Sequence, residues 1–267
     1  MSTKNQINQD LDAELYDQHE TETDDVAFIL ATISAPPKKV LEVCCGSGRI
    51  LVPLAQAGHD ATGLDLDGAM MDRIPAKAAG IGNIHWRKAD AVRDDWGTDF
   101  DVVVLAGNIL FNIESDMDYK QAQELFIHKA AASLASGGHL YIGYTPFAPN
   151  GRTLIRPAGF SCEDDGSVIW SWEGYDAEGN YEKSALTKGT FDEATGMLTA
   201  QRVFEQKLAN GQVIRRETES IKHYATLEQI HGWLADTGFT VEFEYEDFDK
   251  TPINDTSESV VIYAKKR

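Results

Sequence analysis

The sequence lacks the features of membrane proteins and of nucleic-acid-binding proteins. No apolar run reaches the length of about 20 residues that a transmembrane helix needs, and the polar N-terminus lacks the apolar stretch of a signal peptide. The 43 acidic residues outnumber the 24 basic ones, which gives a formal charge of −19 and would repel a polyanion. We therefore expect this chain to contact neither membranes nor nucleic acids.

Cysteine is scarce as well. The three cysteines show no spacing typical of a zinc site, so we predict no metal centre, and they favour a reducing, cytoplasmic location. Hydrophobic residues make up 42% of the 267 residues, which is enough for a sizeable core. The length fits one large domain, or one domain with an insertion.

The most informative segment is residues 38–49, in which an apolar run typical of a buried strand ends in an acid and small residues. The acid is Glu42, and Gly46 and Gly48 come just before an apolar pattern typical of a helix. In an α/β sheet, such a strand-to-helix turn lets the backbone approach a ligand, because glycine has no side chain. The segment therefore predicts a nucleotide-like ligand.

A second acid, Asp65, ends the next predicted strand, 61–65. It follows the glycines by about 20 residues, the spacing at which a carboxylate reaches ribose hydroxyls. The dinucleotide pattern Gly-x-Gly-x-x-Gly fails here, since Leu51 stands where the third glycine would be. Glu42 also favours a ligand with a cationic group, because a carboxylate would repel a pyrophosphate.

Five segments in order resemble the class I S-adenosylmethionine-dependent methyltransferases. Residues 42–48, Glu-Val-Cys-Cys-Gly-Ser-Gly, resemble the first motif of that family, an acid followed by Gly-x-Gly-x-Gly, and the other segments are 63–71, 88–91, 100–108 and 134–140. The resemblance implies S-adenosylmethionine as cofactor and S-adenosylhomocysteine as product. It implies these cofactor-binding residues: Tyr16, Glu42, Cys44, Gly46, Asp65, Leu66, Met70, Asp90, Ala91 and Ala106.

The resemblance also assigns roles within the first three segments. The carboxylate of Asp65 is expected to bind the ribose hydroxyls, and that of Asp90 the adenine amino group. Cys44 departs from the family pattern, since it stands at the first glycine position. A small thiol beside the methionine moiety, or a slight shift of the loop, would accommodate it. We interpret Cys44 and Cys45 as small buried side chains rather than as a redox pair.

Alternating strand and helix patterns between residues 38 and 145 predict an α/β fold with a doubly wound, Rossmann-like sheet. Strands predicted over 240–248 and 259–264 would close it as the antiparallel pair that ends the family's seven-stranded sheet. Residues 165–225 instead alternate with a period of two, which predicts an antiparallel β insertion between the fifth strand and the last helix. Residues 1–14 are polar and are expected to be frayed.

These patterns divide the chain into four segments. They are an N-terminal helical arm (1–37), the cofactor-binding core (38–150), the β insertion (151–225), and the last helix with the closing strand pair (226–267). The resemblance implies that the insertion serves as a lid, as a substrate wall or as the interface of a homodimer.

The function implied by the resemblance is transfer of a methyl group to a nitrogen or oxygen atom of a small molecule by in-line displacement. A sulfonium methyl group is a strong electrophile, so the protein must mainly align the acceptor and exclude water. The candidate catalytic residues are Tyr16, Asn108 and His223, with the imidazole of His223 as a general base. The candidate substrate residues are Asn108, Tyr144, Arg152 and Tyr224.

Two other functions stay open at this point. The first is an NAD(P)-dependent oxidoreductase on a related sheet, which the glycine spacing disfavours. The second is a non-catalytic module that binds S-adenosylmethionine, which Cys44 and the lack of an obvious base leave possible. For His223, a strand position that faces solvent is the alternative to catalysis.

Overall fold

The structure, a computed structural model, describes residues 3–144, 172–192, 194–254, 257 and 259–267. This part of the chain contains eight helices and eleven strands. The helices are α1 Thr3–His19, α2 Asp24–Thr32, α3 Leu51–Gln56, α4 Gly68–Met71, α5 Ile74–Lys77, α6 Ile109–Asn112, α7 Tyr119–Ser133 and α8 Leu227–Asp236. None of them combines the length and the hydropathy that crossing a membrane requires.

The strands form two separate sheets. The seven-stranded sheet has the order β10-β11-β5-β4-β1-β2-β3, and the four-stranded sheet has the order β6-β7-β8-β9. The strands of the first sheet are β1 Lys39–Val43, β2 Asp60–Asp65, β3 Ile84–Lys88, β4 Phe100–Leu105, β5 Leu134–Tyr144, β10 Phe239–Tyr245 and β11 Val260–Lys266. Those of the second are β6 Trp172–Tyr175, β7 Tyr181–Asp192, β8 Met197–Lys207 and β9 Val213–His223.

The seven-stranded sheet confirms the predicted fold class. Strands β1 to β5 pair in parallel, whereas β11 runs antiparallel to β5 and β10 antiparallel to β11. The central strands are apolar on both faces, as β4 shows with its last four residues buried, because helices cover both sides of a doubly wound sheet. The carboxyl ends of β1, β2, β3 and β4 therefore meet at one edge.

Two hydrophobic cores lie on opposite faces of this sheet. Leu41 and Val43 of β1 face the core formed with α7 and α8, whereas Val40 faces the core formed with α2 and α3. The alternation follows the pleat of the strand, which sends neighbouring side chains to opposite faces. The predicted helix near 68–79 is two short helices, α4 and α5. Pro75 in the first turn of α5 has no backbone N–H and suits a helix start.

The four-stranded sheet is antiparallel throughout and confirms the predicted β insertion between β5 and α8. The predicted hairpin at Asn210–Gly211 joins β8 to β9, and Gly211 takes a φ of +87° there. Its N–H donates to the carbonyl of Leu208 at 2.8 Å. Positive φ at such a position is the reason for the glycine.

The chain divides into two compact units. We call the unit that contains α1 and β6 to β9 the antiparallel unit, and the unit that contains all other helices and strands the core unit. The predicted helical arm is thus divided, since α1 groups with the antiparallel sheet and α2 with the core. The prediction of a frayed start is wrong, because residues 3–19 form α1.

Packing against the sheet explains the first helix. Gly174 of β6 leaves the space that Leu15 occupies, since a Cβ at this glycine would stand 2.3 Å from the leucine Cδ2. The side chain of Gln18 donates to the carbonyl of Tyr175 at 2.8 Å. Tertiary packing of this kind stabilises most protein helices, and the polar composition of residues 1–14 does not reveal it.

Candidate functional site

The loop after β1 has an alternating backbone conformation. Cys44, Gly46 and Gly48 have φ values of +60°, +52° and +82°, in the left-handed region that favours glycine. The Cys45 N–H donates to the carbonyl of Leu64 at 2.9 Å, and the Gly48 N–H donates to that of Cys45 at 2.9 Å. The loop therefore stays close to the end of β2. Cys44 keeps the backbone form of the glycine that it replaces.

Asp65 at the end of β2 joins this loop to the following segment. Its Oδ2 accepts the N–H of Gly46 at 2.7 Å, and its Oδ1 accepts that of Asp67 at 2.7 Å. Burial raises the pKa of Asp65, and backbone hydrogen bonds from Asp67, Gly46 and Leu66 oppose that rise. A carboxylate has about four acceptor positions. Asp65 therefore keeps capacity to accept a hydrogen bond from a ligand hydroxyl group.

Glu42 is buried near the end of β1, with 5% of its surface exposed. The backbone N–H of Leu51 hydrogen-bonds to its carboxyl group, and burial raises its pKa well above the ordinary value. Within the described residues its Oε2 has no hydrogen-bond partner. An unpaired buried carboxyl oxygen is costly, so this atom is suited to a donor or a cation from a ligand.

The cationic side chain that interacts with Glu42 already has other hydrogen-bond partners. Arg49 lowers the pKa of Glu42, but its guanidinium donates to both carboxylate oxygens of Asp25, at 2.7 and 2.5 Å, and to the carbonyl of Glu22 at 2.9 Å. A bidentate pair of this kind fixes the arginine firmly. Arg49 therefore holds α2 against the glycine loop, and its charge is shared between Glu42 and Asp25.

Cys45 is buried as the sequence predicts, whereas Cys44 is only half-buried. Cys45 is 4% exposed, and burial raises the pKa of both thiols, with the nearby carboxylates of Glu42 and Asp65 adding to the rise. Thiols with a raised pKa form little thiolate and react slowly. Gly63 makes room for this packing, since a Cβ there would stand 2.6 Å from the Cys45 Sγ and 2.6 Å from the Leu51 Cδ2.

Met70 lies beside this loop, and Leu66 directly follows Asp65 at the end of β2. Leu66 is 53% exposed, which is unusual for leucine. The Met70 Cε lies 3.1 Å from the point where a Cβ of Gly46 would stand. The carboxylate of Asp67 caps α4 by accepting the N–H of Ala69 at 2.9 Å. This cap fixes the position of Met70.

Asp90 begins a turn that borders an open pocket of about 530 Å³. Its Oδ1 accepts the N–H groups of Val92 and Arg93 at 2.9 and 3.2 Å. Ala91 is buried, and its carbonyl accepts the Trp96 indole N–H at 2.8 Å. The pocket is lined by Leu66, Asp90, Val92, Arg93, Glu114, Ser115, Asp116 and Met117.

Six of the pocket residues are absent from the sequence prediction. They are Val92, Arg93 and the four residues 114–117. Arg93 joins the two groups, because its Nη2 lies 2.6 Å from the Asp116 Oδ2 and its Nη1 lies 3.7 Å from the Asp90 Oδ2. The loop before α7 carries no motif, so only the fold brings it to Asp90.

The tip of β4 carries Ala106 and Asn108. Ala106 is 9% exposed, and Gly107 and Asn108 have φ values of +59° and +63°. Asn108 stands directly before α6. Asparagine tolerates the left-handed region better than most residues do, which explains the Gly-Asn pair at this sharp turn. Asn108 is thus a polar residue at the carboxyl edge of the sheet.

The side chain of Tyr144, in the core unit, is buried in the protein interior. It is 1% exposed, and its hydroxyl accepts the N–H of Ala225 at 2.7 Å. This bond ties the end of β5 to the segment before α8. The predicted contact between Tyr144 and a substrate stays a prediction, and Arg152 lies outside the described residues.

Tyr16, His223 and Tyr224 belong to the antiparallel unit, whereas the residues around Asp65 belong to the core unit. The alternative of a solvent-facing His223 is wrong, since this side chain is 4% exposed. Burial raises the pKa of Tyr224 to about 12, and its ring centroid lies 5.2 Å from that of Phe191. Tyr16 is half-buried on α1. The predicted roles of these three residues remain predictions.

Sequence comparisons relate the central segment to a known domain family. A family model of the methyltransferase domain matches residues 40–138. An uncharacterized protein of Mycobacterium tuberculosis is 35% identical over 124 residues, which are 45% of this chain and 42% of the relative. A second uncharacterized protein of that bacterium is 29% identical over 222 residues, or 80% of this chain and 69% of the relative. The chain thus spans less than half of the first relative.

Solved structures share the fold over nearly the whole chain. An S-adenosylmethionine-dependent methyltransferase from Clostridium acetobutylicum has a TM-score of 0.67 at 13% identity, covering 95% of this chain and 97% of the other. CalS10, an amino pentose methyltransferase from Micromonospora echinaspora, has a TM-score of 0.63 at 17% identity and covers 95% and 96%. KedS8, a sugar N-methyltransferase from Streptoalloteichus, has a TM-score of 0.65 at 16% identity and covers 94% and 91%. Residues 40–138 therefore match the methyltransferase domain family, and the chain shares its fold with solved S-adenosylmethionine-dependent methyltransferases.

Proposed function

We propose that this protein transfers the methyl group of S-adenosylmethionine to a nitrogen or oxygen atom of a small molecule. The observation that carries the proposal is the position of Asp65. Its carboxylate anchors the glycine loop through Gly46 and keeps capacity to accept a further hydrogen bond. A ribose hydroxyl group of the cofactor would supply this donor.

The acidic end of the site fits the rest of the cofactor. The buried Glu42 Oε2 lacks a partner among the described residues, and the ammonium group of a methionine moiety would supply one. A phosphate-bearing ligand would instead meet the carboxylates of Glu42 and Asp65. The charge of the site therefore favours S-adenosylmethionine over a pyridine dinucleotide, the alternative that the glycine spacing already disfavours.

When bound, S-adenosylmethionine supplies an electrophilic methyl group, so the residues of the protein mainly need to bind and align. The carboxylates of Asp65 and Asp90 would bind the ribose hydroxyls and the adenine amino group of the cofactor. Glu42 would pair with the ammonium group of its methionine moiety. We propose that Asn108 at the tip of β4 contacts the acceptor. Tyr16 and His223 are further candidates, with His223 as the base that would take a proton from the acceptor.

For the acceptor, we propose the amine of a small sugar-like molecule as the first class to test. CalS10 and KedS8 are described as methyltransferases of an amino pentose and of a sugar nitrogen. A net charge of −19 suits a cationic amine better than a nucleic acid. The free thiols of Cys44 and Cys45 suit the reducing cytoplasm, where we propose that the protein acts.

We further propose a homodimer through the antiparallel sheet. Within the described residues β9 is an edge strand, and its Val213 and Ile221 are 60% and 39% exposed. An edge strand can pair with a second copy. Light scattering of the wild-type protein should give twice the mass of one chain. The substitution Ile221→Lys should lower this measured mass. A monomeric wild-type protein would contradict the dimer.

Calorimetric titration with S-adenosylhomocysteine tests the cofactor, and an assay for its release from S-adenosylmethionine tests catalysis. We expect micromolar binding, and release that depends on the acceptor when amino sugars, aminoalcohols and phenols are offered. Binding without release for every acceptor would favour the non-catalytic module. No binding of the cofactor, together with binding of NADH, would favour the oxidoreductase.

A matched pair of variants tests the role assigned to Glu42. Glu42→Gln keeps the shape of the side chain but removes its charge, so we expect roughly 10-fold weaker binding of S-adenosylhomocysteine. Adenosine lacks the ammonium group, and its affinity should not change. Glu244→Gln, on β10, is the control, because it removes one carboxylate at a different position. Equal losses for both ligands would contradict the pairing of Glu42 with the ammonium group.

A further inference from the structure

The turn that carries Asp90 is held at both ends. The N–H groups of Arg93 and Asp94 donate to the carbonyl of Asp90 at 3.1 and 2.8 Å, so residues 90–94 form one helical turn. Its first N–H groups are accepted by the Asp90 carboxylate, as in a helix N-cap. The carbonyls at its other end need donors as well.

Lys129 supplies those donors. This residue lies on α7, and its ammonium group donates to the carbonyls of Ala91, Val92 and Asp94 at 2.7, 3.0 and 2.6 Å. All three N–H bonds of the ammonium are thus used on one turn. A cation at the carbonyl end of a helical turn is also electrostatically favourable.

An aromatic pair supports the same arrangement. The Trp96 indole N–H donates to the Ala91 carbonyl at 2.8 Å, and the Lys129 Nζ lies 5.2 Å from the centroid of the Trp96 ring. Trp96 packs edge-on against Phe126, three residues before Lys129 on α7, at a centroid distance of 5.3 Å. One face of α7 therefore fixes the whole segment from Ala91 to Trp96.

The fixed turn is a wall of the pocket. Asp90, Val92 and Arg93 line it, while Lys129 does not. The Asp90 Oδ1 is used within the turn, and the Oδ2 carries no hydrogen bond there, although Arg93 lies 3.7 Å away. The orientation of the turn thus decides where this oxygen points.

We infer that Lys129 is a positioning residue, which holds the turn 90–94 so that Asp90 and Val92 present the adenine end of the cofactor pocket. The inference rests on the proposed function, because it assumes a ligand with an adenine end. Lys129 acts through the three carbonyls and makes no contact with that ligand. The geometry of the turn itself is independent of any ligand.

Amide hydrogen exchange of the free protein tests the first half of the inference. In Lys129→Met, the amides of Val92 and Arg93 should exchange at least 10-fold faster than in the wild-type protein, since the carbonyl end of their turn is released. The amide of Val103 in β4 reports global stability and should not change. Lys266→Met is the matched control, because it removes an ammonium from the carbonyl of Leu134, 2.6 Å away, and should leave Val92 and Arg93 protected.

Titration with two ligands tests the second half. Lys129→Met should weaken the binding of S-adenosylhomocysteine and of adenosine by the same factor of roughly 10, because both ligands contain the adenine end. Glu42→Gln should weaken the binding of S-adenosylhomocysteine only, and Lys266→Met should change the binding of neither ligand. A general loss of stability would also weaken both ligands alike, and unchanged exchange at Val103 in Lys129→Met distinguishes the two cases.

Each outcome decides the inference. Unchanged exchange at Val92 and Arg93 in Lys129→Met would overturn it, and so would faster exchange with unchanged affinity for both ligands. If the wild-type protein binds neither ligand, the proposed function and the cofactor half of the inference fail together. The exchange data would then still decide whether Lys129 holds the turn.

Discussion

The core unit and the antiparallel unit are stabilised at their key positions by different means. In the core unit, backbone groups of the glycine loop and the turn 90–94 bond to Asp65, Asp90 and Lys129. In the antiparallel unit, side chains bond to other side chains beneath α1. The Gln206 Nε2 donates to the Glu182 Oε2 at 2.5 Å, and both residues are at least 98% buried.

Two partly exposed charged side chains join this buried pair. The Arg216 Nη2 lies 3.3 Å from the Asp12 Oδ2 and 3.6 Å from the Glu182 Oε2, and the guanidinium lies 4.0 Å from the centroid of the Phe204 ring. Burial, with the neighbouring Asp12 carboxyl, raises the pKa of Glu182 to about 8. Such a cluster is costly unless all its groups are paired.

The difference indicates which changes each unit tolerates. Backbone groups keep their hydrogen bonds when a side chain changes, so the core loop can accept Cys44 at a glycine position. It cannot accept bulk, because its backbone lies close to β2. The antiparallel unit is instead sensitive to the protonation of a single buried acid, Glu182.

The largest effect is expected for bulk beside the loop. Gly63→Ala should lower the free energy of unfolding by about 3 kcal/mol, the upper end for overpacking, because its Cβ would meet Cys45 and Leu51. Gly232→Ala on α8 meets nothing within 4 Å and should stabilise by about 0.5–1 kcal/mol. Denaturant titrations measure both. Equal stability of Gly63→Ala and the wild-type protein would show that the loop is not closely packed.

The next effect concerns Asp65. Asp65→Ala removes the acceptor for the Gly46 N–H and for the ribose, so affinity for S-adenosylhomocysteine should fall by about 2 kcal/mol. Asp60→Ala, at the exposed start of the same strand, should bind normally. Calorimetric titration compares the two. Unchanged affinity in Asp65→Ala would remove the observation on which the proposed function depends.

A smaller effect tests the antiparallel unit. Because the folded-state pKa of Glu182 is raised from 4.5 to about 8, its stabilisation is complete below pH 4.5 and is lost as the pH rises through 8. We expect the free energy of unfolding to fall by at least about 1 kcal/mol over this range, because the folded state holds the proton of Glu182 more tightly than the unfolded chain does. Glu182→Gln should flatten the profile.

Thermal unfolding between pH 5 and 9 measures this dependence. Glu228→Gln, in the first turn of α8, is the control and should leave the profile unchanged. A wild-type stability that rises over this range in the antiparallel unit, or a Glu182→Gln profile equal to that of the wild type, would contradict the assignment.

The smallest effect is expected at Cys44. Cys44→Gly removes a side chain from a φ of +60°, which gains about 1 kcal/mol and loses a similar amount through the greater freedom of the unfolded glycine. Stability should therefore change little, and cofactor affinity should be equal or better. Cys45→Gly, at a buried position without positive φ, should be less stable. A large loss of affinity in Cys44→Gly would reveal a role for the thiol.

Much of the fold could be predicted because its signals are local. The apolar runs of β1 and β4, the Asn210–Gly211 hairpin and the period-two strands each depend on residues within one segment. The helical state of residues 3–14 within the predicted N-terminal arm could not be predicted, since it depends on Leu15 packing into the space at Gly174, far away in the sequence. For the same reason the sequence did not divide the N-terminal arm between two units.

The sequence by itself determined the loop with its glycines, the acids Glu42, Asp65 and Asp90, and hence the methyltransferase fold. A motif can do so because its residues are neighbours and share one backbone path. Only the tertiary structure decided that Arg93 meets Asp116, that Lys129 holds the turn of Asp90, and that Tyr144 is buried. These pairs come from segments that the sequence separates and the packing of the sheet brings together.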